Sequence, residues 1–301
     1  MKAARASEHG GRRAAVLGKP VDHSLSPVLH RAAYAELGLD GWSYDRFETD
    51  EARLPGFVAG LGPEWAGLSL TMPLKRAALA LCETVSPVAR SVEAVNTLVR
   101  GADGGWHGDN TDVPGLVAAL RERGVEKAPE AAVLGAGATA SSALAALASI
   151  GADRTEVYVR SEARAEEMRE WGRRLGVEVL ARPWERAAEA LCRPLVIATT
   201  PAGAADALAA DVPDLPGTLF DVLYEPWPTP LAARWAERGG ALLGGLDLLV
   251  HQAVLQVEQM TGLAPAPLSA MRAAGTAALG EARTSRAAPG THAPRVGRRP
   301  A

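Results

Sequence analysis

Short apolar runs alternate with amphipathic stretches along most of this chain, at spacings that suit strands and helices in turn. In the first third, Arg13–Leu17 reads as a strand, Pro27–Leu37 as a helix and Ser43–Glu48 as a strand. Glu51–Leu61 reads as a helix bent near Pro55, because proline lacks the N–H and crowds the preceding turn. Ala66–Leu70 is a buried-strand pattern, Pro73–Cys82 a helical one, and Asn96–Arg100 a further strand followed by turn-rich Gly101–Gly108. A helix then runs from Asp112 to Arg123, with Gly124 as its C-terminal cap.

The middle third repeats the alternation with stronger strands at Ala131–Leu134, Glu156–Arg160, Val177–Leu180, Leu195–Ala198 and Thr218–Leu223. Helical spacing fits between them, which predicts βαβ units and a parallel, doubly wound sheet. Gly245–Thr261 is a long helical pattern closed by Gly262, and Pro267–Arg283 is one more helix. The fold class expected is α/β. At 301 residues the chain is long for one core, so two domains are the default.

Composition removes several functions. Hydrophobic residues are 48%, charged residues 22% and the net charge −3, so nothing invites a polyanion such as nucleic acid. Cys82 and Cys192 stand far apart with no CxxC spacing, and the six histidines include no HExxH pair. Neither a disulfide scaffold nor a metal is implied. Met1 to Gly11 has no apolar core of a secretory signal. Ala131 to Ala152 carries no charge, but its Ala, Gly, Ser and Thr lack the large aliphatics that drive insertion. A cytoplasmic protein without membrane contact is expected. Beyond Glu281 there are no acids, while Arg283, Arg286, Arg295, Arg298 and Arg299 lie among Pro, Gly and Ala. Residues 1–11 and 284–301 therefore read as disordered tails.

The strongest local signal is Ala132-Val133-Leu134-Gly135-Ala136-Gly137-Ala138-Thr139-Ala140, an apolar strand entering GxGxxA. Gly135 permits the tight turn. Gly137 lets the backbone approach a pyrophosphate, whose charge the following helix N-terminus favours. The next strand ends in Arg160 and Ser161, with Arg164 beyond, where an NAD site usually carries an acid. A guanidinium there suits a 2′-phosphate and so NADP. Against this, the two arginines can be plain surface residues.

Elsewhere the chemistry-bearing residues each admit two readings. Ser24 and Ser26 can aim hydroxyls at a carboxylate, or Ser26 and Pro27 can simply start a helix. Lysine is scarce: of 32 lysines and arginines only Lys2, Lys19, Lys75 and Lys127 are lysines. Lys75 suits acid–base work that arginine cannot do, or is a solvated lysine on a first helical turn. Asp112 closes the block Asp109-Asn110-Thr111-Asp112 between the two βα-rich regions, where a cleft would form. It can orient a lysine and accept from a substrate hydroxyl, or cap the helix that follows. Asn96 and Gln252 are amides in apolar segments that serve either the backbone or a polyol.

Taken together, the chain from about Ala14 to Leu279 resembles the shikimate dehydrogenase family. The resemblance rests on blocks in order: His23-Ser24-Leu25-Ser26-Pro27, Leu70-Thr71-Met72-Pro73-Leu74-Lys75, Ala94-Val95-Asn96-Thr97-Leu98, Asp109-Asn110-Thr111-Asp112, and the glycine loop. Tyr224-Glu225-Pro226-Trp227-Pro228-Thr229-Pro230-Leu231 and Gly245-Leu246-Asp247-Leu248-Leu249-Val250-His251-Gln252-Ala253 complete it. The family implies a substrate domain from residues 12–111 and 245–283, with a Rossmann-like NADP domain at 112–244. It implies that Ser24 and Ser26 bind the substrate carboxylate, that Thr71, Asn96, Asp112 and Gln252 hold hydroxyls with Tyr224 nearby, and that Lys75 and Asp112 are the catalytic pair. The implied cofactor residues are Gly135, Ala136, Gly137, Ala138, Thr139, Arg160, Ser161, Arg164, Thr199, Val222 and Gly245.

The reaction so implied is NADPH-dependent reduction of 3-dehydroshikimate to shikimate, in aromatic amino-acid biosynthesis, by a monomer or homodimer. Three positions depart from the family pattern. Ser69 stands for an asparagine and shortens one polyol contact. Ala138 replaces a glycine of the loop, and Val159 replaces an asparagine before Arg160. Rival readings are a quinate or aminoshikimate dehydrogenase and a non-catalytic ligand-binding relative. Both serines and Arg160 speak against a quinate enzyme, and the presence of Lys75 and Asp112 speaks against the idle one.

Overall fold

A computed structural model describes residues 11–287 and contains two six-stranded sheets. The first sheet is built from β1 (Arg13–Gly18), β2 (Ser43–Glu48), β3 (Trp65–Leu70), β4 (Thr84–Val85), β5 (Thr97–Arg100) and β6 (Trp106–Asp109). Its strand order is β2-β1-β3-β5-β6-β4. β1 runs parallel to both β2 and β3, whereas β5 is antiparallel to β3 and to β6. β1 is buried on both faces, as its unbroken apolar run predicts. Ala15 and Leu17 enter one core and Ala14 and Val16 the other, the alternation of a strand covered on two sides. Helices α1 (Ser26–Leu37), α2 (Leu54–Ala59) and α3 (Pro87–Ser91) belong to this part of the chain.

Helix α4 (Asp112–Glu122) leads to the second sheet: β7 (Glu130–Leu134), β8 (Arg154–Val159), β9 (Glu178–Pro183), β10 (Leu195–Ala198), β11 (Thr218–Asp221) and β12 (Ala241–Leu243). All its pairings are parallel, in the order β12-β11-β10-β7-β8-β9. Here α5 (Ala138–Ser149), α6 (Glu162–Leu175) and α7 (Pro230–Glu237) supply the helices. The order reverses direction at β7, the place where doubly wound sheets open a ligand crevice. The last two helices, α8 (Gly245–Thr261) and α9 (Leu268–Ala287), return to the first sheet. Val250, Ala253 and Val257 of α8 share a core with Leu29 and Ala33 of α1 and Met271 of α9.

Several expectations are corrected. The helix predicted over Pro73–Cys82 is a series of turns and a short 3-10 segment, Ala77–Leu81. Lys75 therefore sits in a turn, pinned where its carbonyl accepts the N–H of Val95 at 2.8 Å. Pro55 opens α2 rather than bending it, because a missing N–H costs nothing in the first turn. The glycine-rich stretch before Gly108 contains β6, paired with β5 through a tight turn. Helix α9 reaches Ala287, past the expected tail boundary at 284. The remainder of the predicted tails, 1–10 and 288–301, lies outside the described residues. No described helix is long and apolar enough to cross a membrane, and no metal-binding cluster occurs among the described residues.

Candidate active site

Ser24 and Ser26, Thr71 and Lys75, Asn96, Asp112, Tyr224 and Gln252 come from six separate stretches of chain. All of them line one cavity of about 240 Å³ between the two sheets. Thr71 leaves the end of β3 and Asn96 precedes β5, so two neighbouring strands of the first sheet deliver them. Gln252 projects from the third turn of α8, which packs on α4 and brings Gln252 beside Asp112.

The centre of the cavity is an ion pair. Lys75 Nζ donates to Asp112 Oδ2 at 2.5 Å, with both side chains largely shielded from solvent. The other carboxylate oxygen accepts from Asn96 Nδ2 at 2.9 Å. Asn96 cannot turn over, because its Oδ1 accepts the N–H of Thr111 at 2.8 Å and the hydroxyl of Thr97 at 2.8 Å. Asp112 is the first residue of α4, and the expected capping role falls instead to Asn110. Its Oδ1 accepts the N–H groups of Asp112 and Val113 at 3.0 and 3.2 Å. The carboxylate is thereby left for Lys75 and Asn96. Nor does Ser26 cap α1; it lies within the helix, buried, and its N–H approaches Ser24 Oγ at 3.3 Å.

Ser69 lines the cavity and is also a buried link. Its hydroxyl accepts from Tyr44 at 2.6 Å and donates to Gln256 Oε1 at 2.7 Å. Gln256 Nε2 then donates to Thr97 Oγ1 at 2.9 Å, so the chain of bonds reaches Asn96. Sequence reasoning missed Thr97, Thr111 and Gln256. The one available signal was the amide of Gln256 one helical turn after Gln252, on the same face. His30 stacks on Tyr44 with ring centroids 3.9 Å apart, and complete burial lowers its pKa to about 3, so it is neutral. Burial likewise raises the phenol of Tyr224 above its ordinary range.

The glycine loop fits a dinucleotide for reasons visible in its backbone. Gly135 has φ of +106°, and a Cβ there would meet Thr199 Oγ1 at 2.9 Å, so the fold itself requires glycine. Gly137 differs. It is extended, and a Cβ would meet nothing within 4 Å; the open space beside it borders a second cleft of about 300 Å³. That cleft is lined by Gly137, Ala138 and Arg164 on one wall and by Met72, Lys75 and Arg76 on the other. Ala138 is accommodated at the first position of α5, with Ala136 and Gly137 before it and Thr139 after it. Val222 and Gly245 line the central cavity, and Thr199 Oγ donates to the Leu134 carbonyl at 2.9 Å. Arg160 and Ser161 do not share the cleft with Arg164. They line a separate depression with Arg182, while Ser161 caps α6 through the N–H of Arg164.

Comparison with known proteins agrees with this arrangement. Residues 16–98 match the family described as shikimate dehydrogenase substrate binding domain, and residues 245–274 the shikimate 5'-dehydrogenase C-terminal domain. The shikimate dehydrogenase (NADP(+)) of Methylobacterium radiotolerans is 39% identical, over 84% of this chain and 92% of the relative. A crystal structure of Mycobacterium tuberculosis shikimate dehydrogenase superposes with a TM-score of 0.82 at 42% identity, covering 88% of this chain and 99% of that one. The Thermus thermophilus enzyme, in complex with NADP(H) and shikimate, gives a TM-score of 0.77 at 35% identity, over 89% and 99% of the two chains. With such identity over most of its length, the chain belongs to the shikimate dehydrogenase family.

Proposed function

We propose that this protein is an NADP-dependent oxidoreductase that interconverts 3-dehydroshikimate and shikimate, in the pathway to chorismate and the aromatic amino acids. The observation that carries the reading is the Lys75–Asp112 pair, in which both residues line the substrate cavity and Lys75 also lines the dinucleotide cleft. We assign the shikimate-binding domain to residues 12–111 and 245–283 and the NADP-binding domain to 112–244. The substrate domain provides most of the cavity lining, Asp112, Val222 and Tyr224 complete it from the other domain, and the glycine loop opens onto the cleft beside it.

Ser24 and Ser26 line the cavity, and their hydroxyls suit a carboxylate. Thr71, Asn96, Asp112 and Gln252 line the same cavity and suit the ring hydroxyls, with Tyr224 also on its wall. Gly135, Ala136, Gly137, Ala138 and Thr139 would cradle the pyrophosphate at the N-terminus of α5. Arg164 from the cleft, and Arg160 and Ser161 from the depression that adjoins it at the start of α6, would meet the 2′-phosphate from two sides, and Thr199, Val222 and Gly245 would border the nicotinamide. Bound NADPH supplies the hydride, and NADP takes it up in the reverse direction. Lys75 Nζ donates a proton to the oxygen on which negative charge grows, and receives it back when shikimate is oxidised. Asp112 Oδ2 fixes the direction of the ammonium, and its Oδ1 is held in turn by Asn96. The protein acts in the cytoplasm, without nucleic acid or membrane, as a monomer or homodimer.

A two-by-two assay of shikimate or quinate with NADP or NAD tests this reading. The absorbance band of the reduced cofactor should rise fastest with shikimate and NADP. Higher kcat/KM with quinate and NAD would move the chain to the quinate branch. Binding without turnover in all four combinations would make it a non-catalytic relative.

A further inference from the structure

Arg164 is already occupied in this structure. Its Nη1 donates to Glu167 Oε2 at 2.5 Å, one turn further along α6. The other oxygen of the same carboxylate accepts from Arg76 Nη2, which belongs to the opposite wall of the cleft and directly follows Lys75. Glu167 itself lines that cleft, with Gly137, Ala138 and both arginines. The three charged groups thus form one cluster in which an acid on the cofactor side is shared by a cation from each wall. Arg76 also lies over the ring of Trp171, at 5.8 Å from its centroid, so its guanidinium is held toward α6 from two sides. Burial works to raise the Glu167 carboxyl, yet the two guanidiniums outweigh it and keep the group below the usual carboxylate range.

We propose that Glu167 is a specificity-determining residue for the dinucleotide, and that Arg76 tunes it from the other wall. This rests on the reading of Arg164 as a 2′-phosphate partner. A phosphate arriving at Arg164 competes with Glu167 for the same guanidinium and places two anions side by side. A cofactor with a plain 2′-hydroxyl meets no such competition, so Glu167 penalises the phosphorylated form selectively. Arg76 holds one oxygen of Glu167 on the far side and reduces the penalty. Preference for the phosphorylated cofactor is therefore linked to the contact between the two walls.

The test is a fluorescence titration of NADPH and NADH on the full chain, in the wild type, Glu167→Gln, Arg76→Gln and the double variant. Arg76 is exposed and Glu167 partly so, and circular dichroism would verify that the variants fold. The ratio Kd(NADH)/Kd(NADPH) should rise about two- to fivefold in Glu167→Gln, the range partly exposed ion pairs produce. It should fall by a similar factor in Arg76→Gln and be unaffected by Arg76→Gln when Glu167 is already glutamine. A ratio unmoved or lowered by Glu167→Gln overturns the proposal. So does an effect of Arg76→Gln that is equal in both backgrounds, since that is a general loss of positive charge. A wild type with no preference for NADPH would instead overturn the cofactor reading beneath it.

Discussion

The side-chain oxygen of Asn110 accepts the backbone N–H of Asp112 at 3.0 Å, and this bond decides what Asp112 is free to do. An aspartate at the start of a helix ordinarily spends its carboxylate on exposed N–H groups. Here the residue two positions earlier meets that need, and the Asp112 carboxylate faces Lys75 and Asn96. Asn110 is itself fully buried and anchored, its Nδ2 donating to the carbonyl of Ala94 at 2.9 Å.

Asn110→Ala should therefore cost about 1 kcal/mol of stability as a lost cap. It should also lower kcat by up to about tenfold, because a shift of about 1.4 kcal/mol in the barrier has that effect. Thermal melting and steady-state kinetics on one preparation would separate the two. Lost stability with unchanged kcat would mean the cap does not aim Asp112.

Ser24→Ala and Ser26→Ala should raise KM for shikimate by about tenfold or more while kcat holds within a few-fold. Hydrogen bonds to a charged group contribute about 1.5–3 kcal/mol, and those made equally in ground and transition states appear in KM. A fall in kcat at constant KM would place the serines elsewhere in the mechanism.

Two glycines of one loop should respond differently. The Cβ of Gly137→Ala meets open space, so the melting temperature should stay close to that of the wild type while the dinucleotide Kd rises by at least about tenfold, a step of about 1.4 kcal/mol. Gly135→Ala forces a side chain into φ of +106° and against Thr199, which should cost about 1–3 kcal/mol of stability. Equal destabilisation by both would deny that Gly137 is kept bare for a ligand.

His30 makes stability pH-dependent. Its folded pKa, about 3, lies below the unfolded value of 6.5 because burial excludes the cation. The unfolded chain binds the extra proton first, so stability is full above about pH 6.5 and falls as pH drops toward 3. The slope is about 1.4 kcal/mol per pH unit for this one group. Urea unfolding at pH 7.5 and pH 5 should show the wild type losing about 2 kcal/mol more than His30→Gln. Parallel losses would mean His30 charges without penalty.

Much of this was legible in the sequence, and the failures have physical causes. β1, β7 and the loop into α5 were readable because hydrophobic period and turn chemistry agree there. The stretch after Pro73 misled because Ala77–Leu81 has helical composition, while the turn at Lys75 is dictated by a bond to Val95, a residue distant in sequence. The strand Trp106–Asp109 hid behind glycines, since its evidence is the partner β5 rather than its own pattern. Lys75, Asp112, Asn96 and Gln252 were recognisable as types, but which polar residue caps α4 depends on rotamers that spacing does not encode. Ser69 shows the same limit. Its partners Tyr44 and Gln256 meet it only after β2, β3 and α8 have assembled.

The most direct test of the central claim compares wild type with Lys75→Ala for shikimate-dependent NADP reduction, with shikimate affinity measured separately by calorimetry. A positioned proton donor contributes about 10²–10⁴-fold, so kcat should collapse by at least about a hundredfold. The variant should remain folded and should still bind shikimate within about tenfold of the wild type. A variant that turns over shikimate at close to the wild-type rate would contradict the assignment of Lys75 as the group that moves the proton.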